Sequence, residues 1–266
     1  MAIQSYIVEE GPGRGKGHTS HGNGKGNGHL KHADDAMADG IYTIGVSGIN
    51  HVNHTTTDQV TPQTTLADGT KMNTEVRAGS ITIDAAPAGG GSSHALHLVT
   101  DSANGRLRVN DAYDADNQIK LGDLDDLSFD YYIASSDRTN VIPVIRLAID
   151  ADGNLATTGD RGELVFEYSY QGLGATTQGS WQSADLAGDD WNAWQRSFGQ
   201  NRDTFPNIVA LSEWADADGF TPAGGLHFDA NSIILGWSIA LGSGNGTTNV
   251  YLDNLTVGGV TMDFVG

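Results

Sequence analysis

Residues 127–133 read LSFDYYI, and the run alternates with a period of two. Successive side chains of an extended chain point to opposite faces. Leu127, Phe129 and Tyr131 therefore share one face, and Ser128, Asp130 and Tyr132 the other. One face belongs in a core and the other in water. Working outward, short runs rich in β-branched and aromatic residues recur at 79–84, 95–99, 106–109, 142–149, 163–170, 194–198, 233–241, 249–257 and 260–265. Gly, Asp and Asn punctuate them. Strands at this spacing predict an all-β fold, an antiparallel jelly-roll β-sandwich. Only residues 207–217 (NIVALSEWADA) have a helical period, with Ile208, Leu211 and Trp214 at three-residue steps.

Towards the N-terminus the signal thins. Residues 1–10 hold one isolated strand (3–9), and residues 11–40 are Gly/His-rich with too few apolar groups to offset the entropy of ordering. They read as a flexible arm. Residues 41–46 read as a strand, and 41–266 as the sandwich domain.

The 266 residues include no cysteine, which excludes disulfides, thiolate metal sites and a cysteine nucleophile. The formal net charge is −19, and residues 33–266 carry ten Lys/Arg against 31 Asp/Glu. Such a body repels nucleic acid and anionic membrane surfaces and attracts cations. No apolar run approaches the about 20 residues that a membrane helix needs, so neither a nucleic-acid partner nor membrane insertion is expected. The opening MAIQSYIVEE lacks the basic start and apolar segment of a signal peptide. The closing TMDFVG resembles the uncleaved tails of bacterial type I secretion substrates.

The later two-thirds carries GGGSSHALHLVT, LGDLDDLSFDYYIAS, PVIRLAIDADGN, GELVFEY, GSWQSADL, ALSEWADA and ILGWSIALGSGNGTTNVYLDNLTVGGVTMDF in that order. This succession, over about residues 76–265, resembles a module of secreted bacterial proteins, a jelly-roll β-sandwich similar to carbohydrate-binding modules. The last segment, with Asp253-Asn254 and a Gly-Gly turn before the final strand, is the most specific part. The resemblance implies a secreted, extracellular setting. It brings no catalytic residues.

Two kinds of metal site suggest themselves. DADGN offers oxygens at Asp150, Asp152 and Asn154 around Gly153, and NDAYDADNQ offers Asp111, Asp114, Asp116 and Asn117. Alternating oxygen ligands on a turn suit Ca²⁺. DADGN is not an EF-hand, since glycine falls fourth and Arg161 twelfth. Eight of nine histidines form His-x-x-His pairs. His18/His21 and His29/His32, in the arm, are candidates for Zn²⁺, Ni²⁺ or Cu²⁺. His94/His97 sits in an expected strand, where such a pair points to opposite faces; His51/His54 stays undecided.

All five tryptophans fall in residues 181–237. Sugars stack their C–H faces on exposed aromatic rings while carboxylates and amides bond their hydroxyls. Trp191, flanked by Asp189, Asp190 and Asn192, is the first candidate for such a ring, and Trp181 the second; Trp194 and Trp237 read as core. Glu163 and Glu167 stand about 13 Å apart along one strand, too far for the usual glycosidase pair. No G-x-S-x-G or H-E-x-x-H occurs.

The expected function is thus a non-catalytic, calcium-stabilised sandwich whose partner is a polysaccharide or cell-surface glycan. The first alternative is a homo-polymer, an extracellular filament or matrix subunit joined by donation of the N-terminal strand. A polysaccharide-active enzyme is the last.

Overall fold

The computed structural model describes residues 71–265 except 114, 117, 158, 198–207 and 243, together with Tyr6–Ile7, Gly40–Gly45, His54–Thr55 and Gln59–Thr65. Side chains are described from residue 75 onward, apart from those at 197, 263 and 265. The candidate ligands His18, His21, His29, His32, Asp114 and Asn117, and His51, lie outside the described residues, as does the arm at 11–39.

In chain order the first strands are β1 (Tyr6–Ile7), β2 (Gly40–Gly45), β3 (His54–Thr55), β4 (Gln59–Thr65), β5 (Lys71–Arg77) and β6 (Gly79–Ala85). Next come β7 (His94–Thr100), β8 (Arg106–Ala112), β9 (Ile119–Lys120), β10 (Leu127–Ser136), β11 (Val144–Asp150) and β12 (Arg161–Phe166). The last are β13 (Trp181–Asp185), β14 (Asn192–Ser197), β15 (Val209–Ala210), β16 (Ile233–Leu241), β17 (Thr248–Val257) and β18 (Val260–Val265). The expected helix shrinks to one turn, α1 (Leu211–Trp214), which buries Leu211 and Trp214.

These strands make two sheets, and the chain is an all-β sandwich. The first sheet runs β1-β2-β18-β17-β7-β6-β3, with β10 on the free side of β17 and β13 beyond β10. The second runs β15-β14-β12-β11-β16-β8-β5-β4, with β9 against β16. All pairs are antiparallel except β2 with β18. Strand β17 is the spine of the first sheet: β10 follows its whole length, while β7 and β18 share its other edge.

The alternation in LSFDYYI holds. Leu127, Phe129, Tyr131 and Ile133 point into the core, where Leu147, Leu164, Trp237 and Leu252 meet them. Ser128, Asp130 and Tyr132 remain on the outer face, partly exposed. The second sheet behaves differently, because β12 and β16 are buried along both faces. Val144, Val165 and Ala240 pack with Trp194 on the side away from the core, so β11 and β16 carry apolar residues on both faces in place of a strict alternation.

The strand expected at 260–265 is present as β18, with Met262 and Phe264 in the core, held between β17 and β2. At the other end, Tyr6 and Ile7 pair with Ile44 and Thr43 of β2.

Candidate functional site

The outer face of the first sheet carries a row of aromatic side chains in register across four strands. Trp181 lies opposite Tyr132, Tyr132 opposite Tyr251, and Tyr251 opposite His97. Their ring centroids are 5.7, 6.3 and 4.0 Å apart, and the Tyr251–His97 pair is stacked with 3° between planes. Cross-strand aromatic pairs of this kind stabilise the sheet and leave apolar ring surface towards solvent.

Both ends of the row are fixed. The Trp181 indole N–H donates to the Pro87 carbonyl at 3.0 Å, and its ring lies against Gly90, where an added Cβ would come within 2.8 Å. His97 at the other end places Nδ1 2.6 Å from Asp84 Oδ2 and Nε2 2.8 Å from Asn249 Oδ1. Burial raises the Asp84 pKa, but hydrogen bonds from His97 and Thr82 outweigh it and hold the carboxyl below its ordinary range. Burial and the nearby Asp84 charge push the Tyr251 phenol up.

A polar row runs beside the rings, one register step along the strands. Asp130 accepts from Ser183 Oγ at 2.5 Å and from Asn254 Nδ2 at 2.8 Å. Asn254 lies at a register shift between β10 and β17, with a left-handed φ of 50°. Bulges of this kind re-aim a side chain and gather at binding sites. A shallow cleft of about 260 Å³ opens over this row, lined by Ser128, Asp130, Ser183, Asp185, Asn254 and Thr256 among others. Strands β6, β7, β10, β13 and β17 contain no Lys or Arg, so the face is acidic and aromatic.

Trp181 therefore lies in the partly exposed row. Trp191 does not: it is 6% exposed and packs edge-on against Tyr168 in the core, so the ring expected outside is inside. Its apolar bulk outweighs its acidic neighbours. Asp189 and Asp190 are exposed in the turn before β14. Asn192 sits on β14 in the second sheet and donates its backbone N–H to Gln171. These three are not brought together with Trp181. Trp237 is core, as expected, and Trp194 is half-buried on the outer side of the second sheet.

The loop joining β11 to β12 gathers three carboxylates. Asp150, Asp152 and Asp160 each place one oxygen so that all three lie within 4.8 Å of one another. Asn154, expected as a ligand, accepts the Ala156 N–H on its Oδ1 at 3.2 Å. Asp160, which was not among the expected ligands, joins Asp150 and Asp152. Of the second acidic stretch, Asp111 caps the Ala112 N–H and Asp116 is exposed. His94 bonds Ser93 and His97 bonds Asp84, so these two histidines do not form a pair. Glu163, on the second sheet, is 3% exposed between Arg108 and Arg146 at 3.4 and 3.5 Å. Burial raises the Glu167 pKa.

Sequence reading placed Tyr132 outside through its alternation but did not connect it with Tyr251, His97 or Asn254. That link needs strand order, which no local pattern carries. No protein-family profile and no curated protein sequence matches the chain. Among solved structures it is similar to the crystal structure of a family 30 carbohydrate-binding module, at 12% identity and a TM-score of 0.38 over 77% of this chain and 92% of that one.

Proposed function

We propose that the protein is a secreted, non-catalytic sandwich that binds glycan on the outer face of its first sheet. The observation that carries this reading is the aromatic row Trp181–Tyr132–Tyr251–His97, bordered by the fixed acceptors and donors of Asp130, Ser183 and Asn254. Apolar surface with a few placed polar groups is the general make-up of a small-molecule site, and it suits a sugar ring. With acids and no Lys or Arg on these strands, the face favours uncharged or amino sugars over uronates and sulfated sugars. The extracellular setting is supported by the resemblance in the order of sequence segments. The non-catalytic role is supported by the state of the acids: Asp130 is engaged by Ser183 and Asn254, and Glu163 by two arginines. Calcium enters as a stabiliser of the sandwich, away from the sugar.

A glycan array on wild type and Trp181→Ala, with and without EDTA, tests this. Retention on neutral or amino-sugar polysaccharides, weakened at least about tenfold by the substitution, is expected. Absence of binding to every glycan contradicts it.

A second reading, assembly into a homo-polymer, has one point of support. Strand β1 lies at a sheet edge and residues 8–39 separate it from β2, so the same pair can form between two copies. Size-exclusion chromatography of the full chain against one lacking residues 1–10 tests it; two monomers contradict it.

A further inference from the structure

The structure assigns a divalent-cation site to the β11–β12 loop, built from Asp150, Asp152 and Asp160, and we propose Ca²⁺ as its occupant; this rests on the calcium part of the reading above and not on the glycan face. The loop is closed by the Asp150–Arg161 pair of the hairpin and by the Ala151 N–H donating to the Asp160 carbonyl at 3.0 Å. It returns the chain so that Asp160 faces Asp152 across the turn. Gly153, at φ +67°, makes the reversal.

The geometry alone, three acids in a loop, is common on protein surfaces. What distinguishes this one is Asp150. Its side chain is 0% exposed, and neither carboxylate oxygen has a hydrogen-bond partner. Asp160 Oδ1 is likewise buried without a hydrogen bond. A buried carboxylate left in that state costs several kcal/mol unless a counter-charge meets it. Arg161 supplies part of that charge, its Nε 3.5 Å from Asp150 Oδ2, while its Nη2 is turned away to the Thr157 carbonyl. Three carboxylates against one guanidinium leave a net charge of −2 in the group, which one divalent cation neutralises.

The Asp150 oxygens and Asp160 Oδ1 carry no hydrogen bond, while the remaining carboxylate oxygens are oriented by the ones they accept. Asp152 is oriented by the Asn154 N–H at 2.8 Å and by Thr157 Oγ1 at 2.9 Å. The Asp152 N–H donates to Asp160 Oδ2 at 3.3 Å, which ties the two loop acids together. Carboxylate oxygens from a turn, on a loop able to adjust, match the oxygen-only and flexible coordination of Ca²⁺ better than the strict octahedron of Mg²⁺. The site would fasten the loop to the body of the second sheet, where Ser232 Oγ already bonds the Ala151 carbonyl at 2.8 Å.

Isothermal titration of the metal-free full chain with CaCl₂, paired with thermal melting, tests the assignment. One Ca²⁺ per chain is expected, with a melting temperature that climbs with free Ca²⁺ by mass action. Asp160→Asn and Asp152→Asn, both on the loop, should each weaken Ca²⁺ at least about tenfold. No heat and no melting shift in about 1 mM Ca²⁺ overturns the site. So does wild-type Ca²⁺ affinity in both Asp variants. Asp150→Asn, which loses a buried charge beside Arg161, is read by melting without Ca²⁺ to separate folding from binding. Glycan retention is measured on the wild-type samples as well: glycan binding without Ca²⁺ binding contradicts the cation site alone, and Ca²⁺ binding without glycan binding contradicts the glycan face alone.

Discussion

Asn254 holds a left-handed backbone conformation and donates its side-chain amide to Asp130 at 2.8 Å, across the β10–β17 pair. Non-glycine residues rarely sit there, and Asn is among the few that do so at modest cost. The strained residue thus lies where the proposed site needs a fixed amide. Asn254→Gly should relieve the backbone while removing the amide, leaving thermal stability near wild type and weakening glycan binding. Asn254→Val should lower stability by about 2 kcal/mol. Equal glycan affinity in wild type and Asn254→Gly, by titration calorimetry, would contradict the role given to the amide.

The core depends on the inward half of LSFDYYI. Phe129 is 2% exposed and packs beside Tyr131 with ring centroids 5.8 Å apart. Phe129→Ala should cost about 3–5 kcal/mol in denaturant unfolding, whereas Ser128→Ala on the opposite face should stay within about 0.5 kcal/mol.

Strand β16 crosses β8 with no room for a side chain at Gly236. A Cβ there would stand 2.3 Å from the Asp111 carbonyl oxygen, a backbone atom that cannot move alone. Gly236→Ala should destabilise by about 1–3 kcal/mol in the same assay. A neutral result would mean that the two strands separate at low cost.

The pH profile of stability has two marked ends. Asp84 is held below its ordinary value of 3.8 in the folded chain. Its contribution is therefore complete above the unfolded value and is lost as pH falls through the folded one. Asp84→Asn should flatten the acid limb of a plot of melting temperature against pH. Tyr131 lies at the other end: burial, with a smaller effect of Tyr168, pushes its phenol from 10.0 to about 12. That contribution is present below the unfolded value and fades between those two pH values. Phenolate absorbance during alkaline titration should show a late-ionising phase to which Tyr131 contributes, and Tyr131→Phe should shrink that phase by one tyrosine.

Periodicity made most of the sandwich legible. The alternation of β10 and the apolar runs of β11 and β16 each encode their own burial, because a strand's side-chain period is local. Strand β13 escaped notice: WQSAD buries only Ala184 and pairs β10 as an outer strand, so its pattern is weak. The site was less legible for the same reason. Trp181 and Asp150 were recognisable as residue types, yet their partners Tyr132 and Asp160 arrive through strand order and a hairpin return. At Trp191 the flanking charges of Asp189 and Asp190 point outward while the bulk of the ring decides its burial, at 6% exposure.

Chemical-shift mapping of the isotopically labelled protein during titration with a soluble neutral oligosaccharide tests the central claim most directly. The largest changes are expected at the Trp181 indole N–H and at the backbone amides of Tyr132, Ser183, Tyr251 and Asn254, residues of one sheet face. Changes concentrated instead on the second sheet, around Trp194 and Arg146, or no changes with any oligosaccharide that the array retains, would contradict binding at the aromatic row.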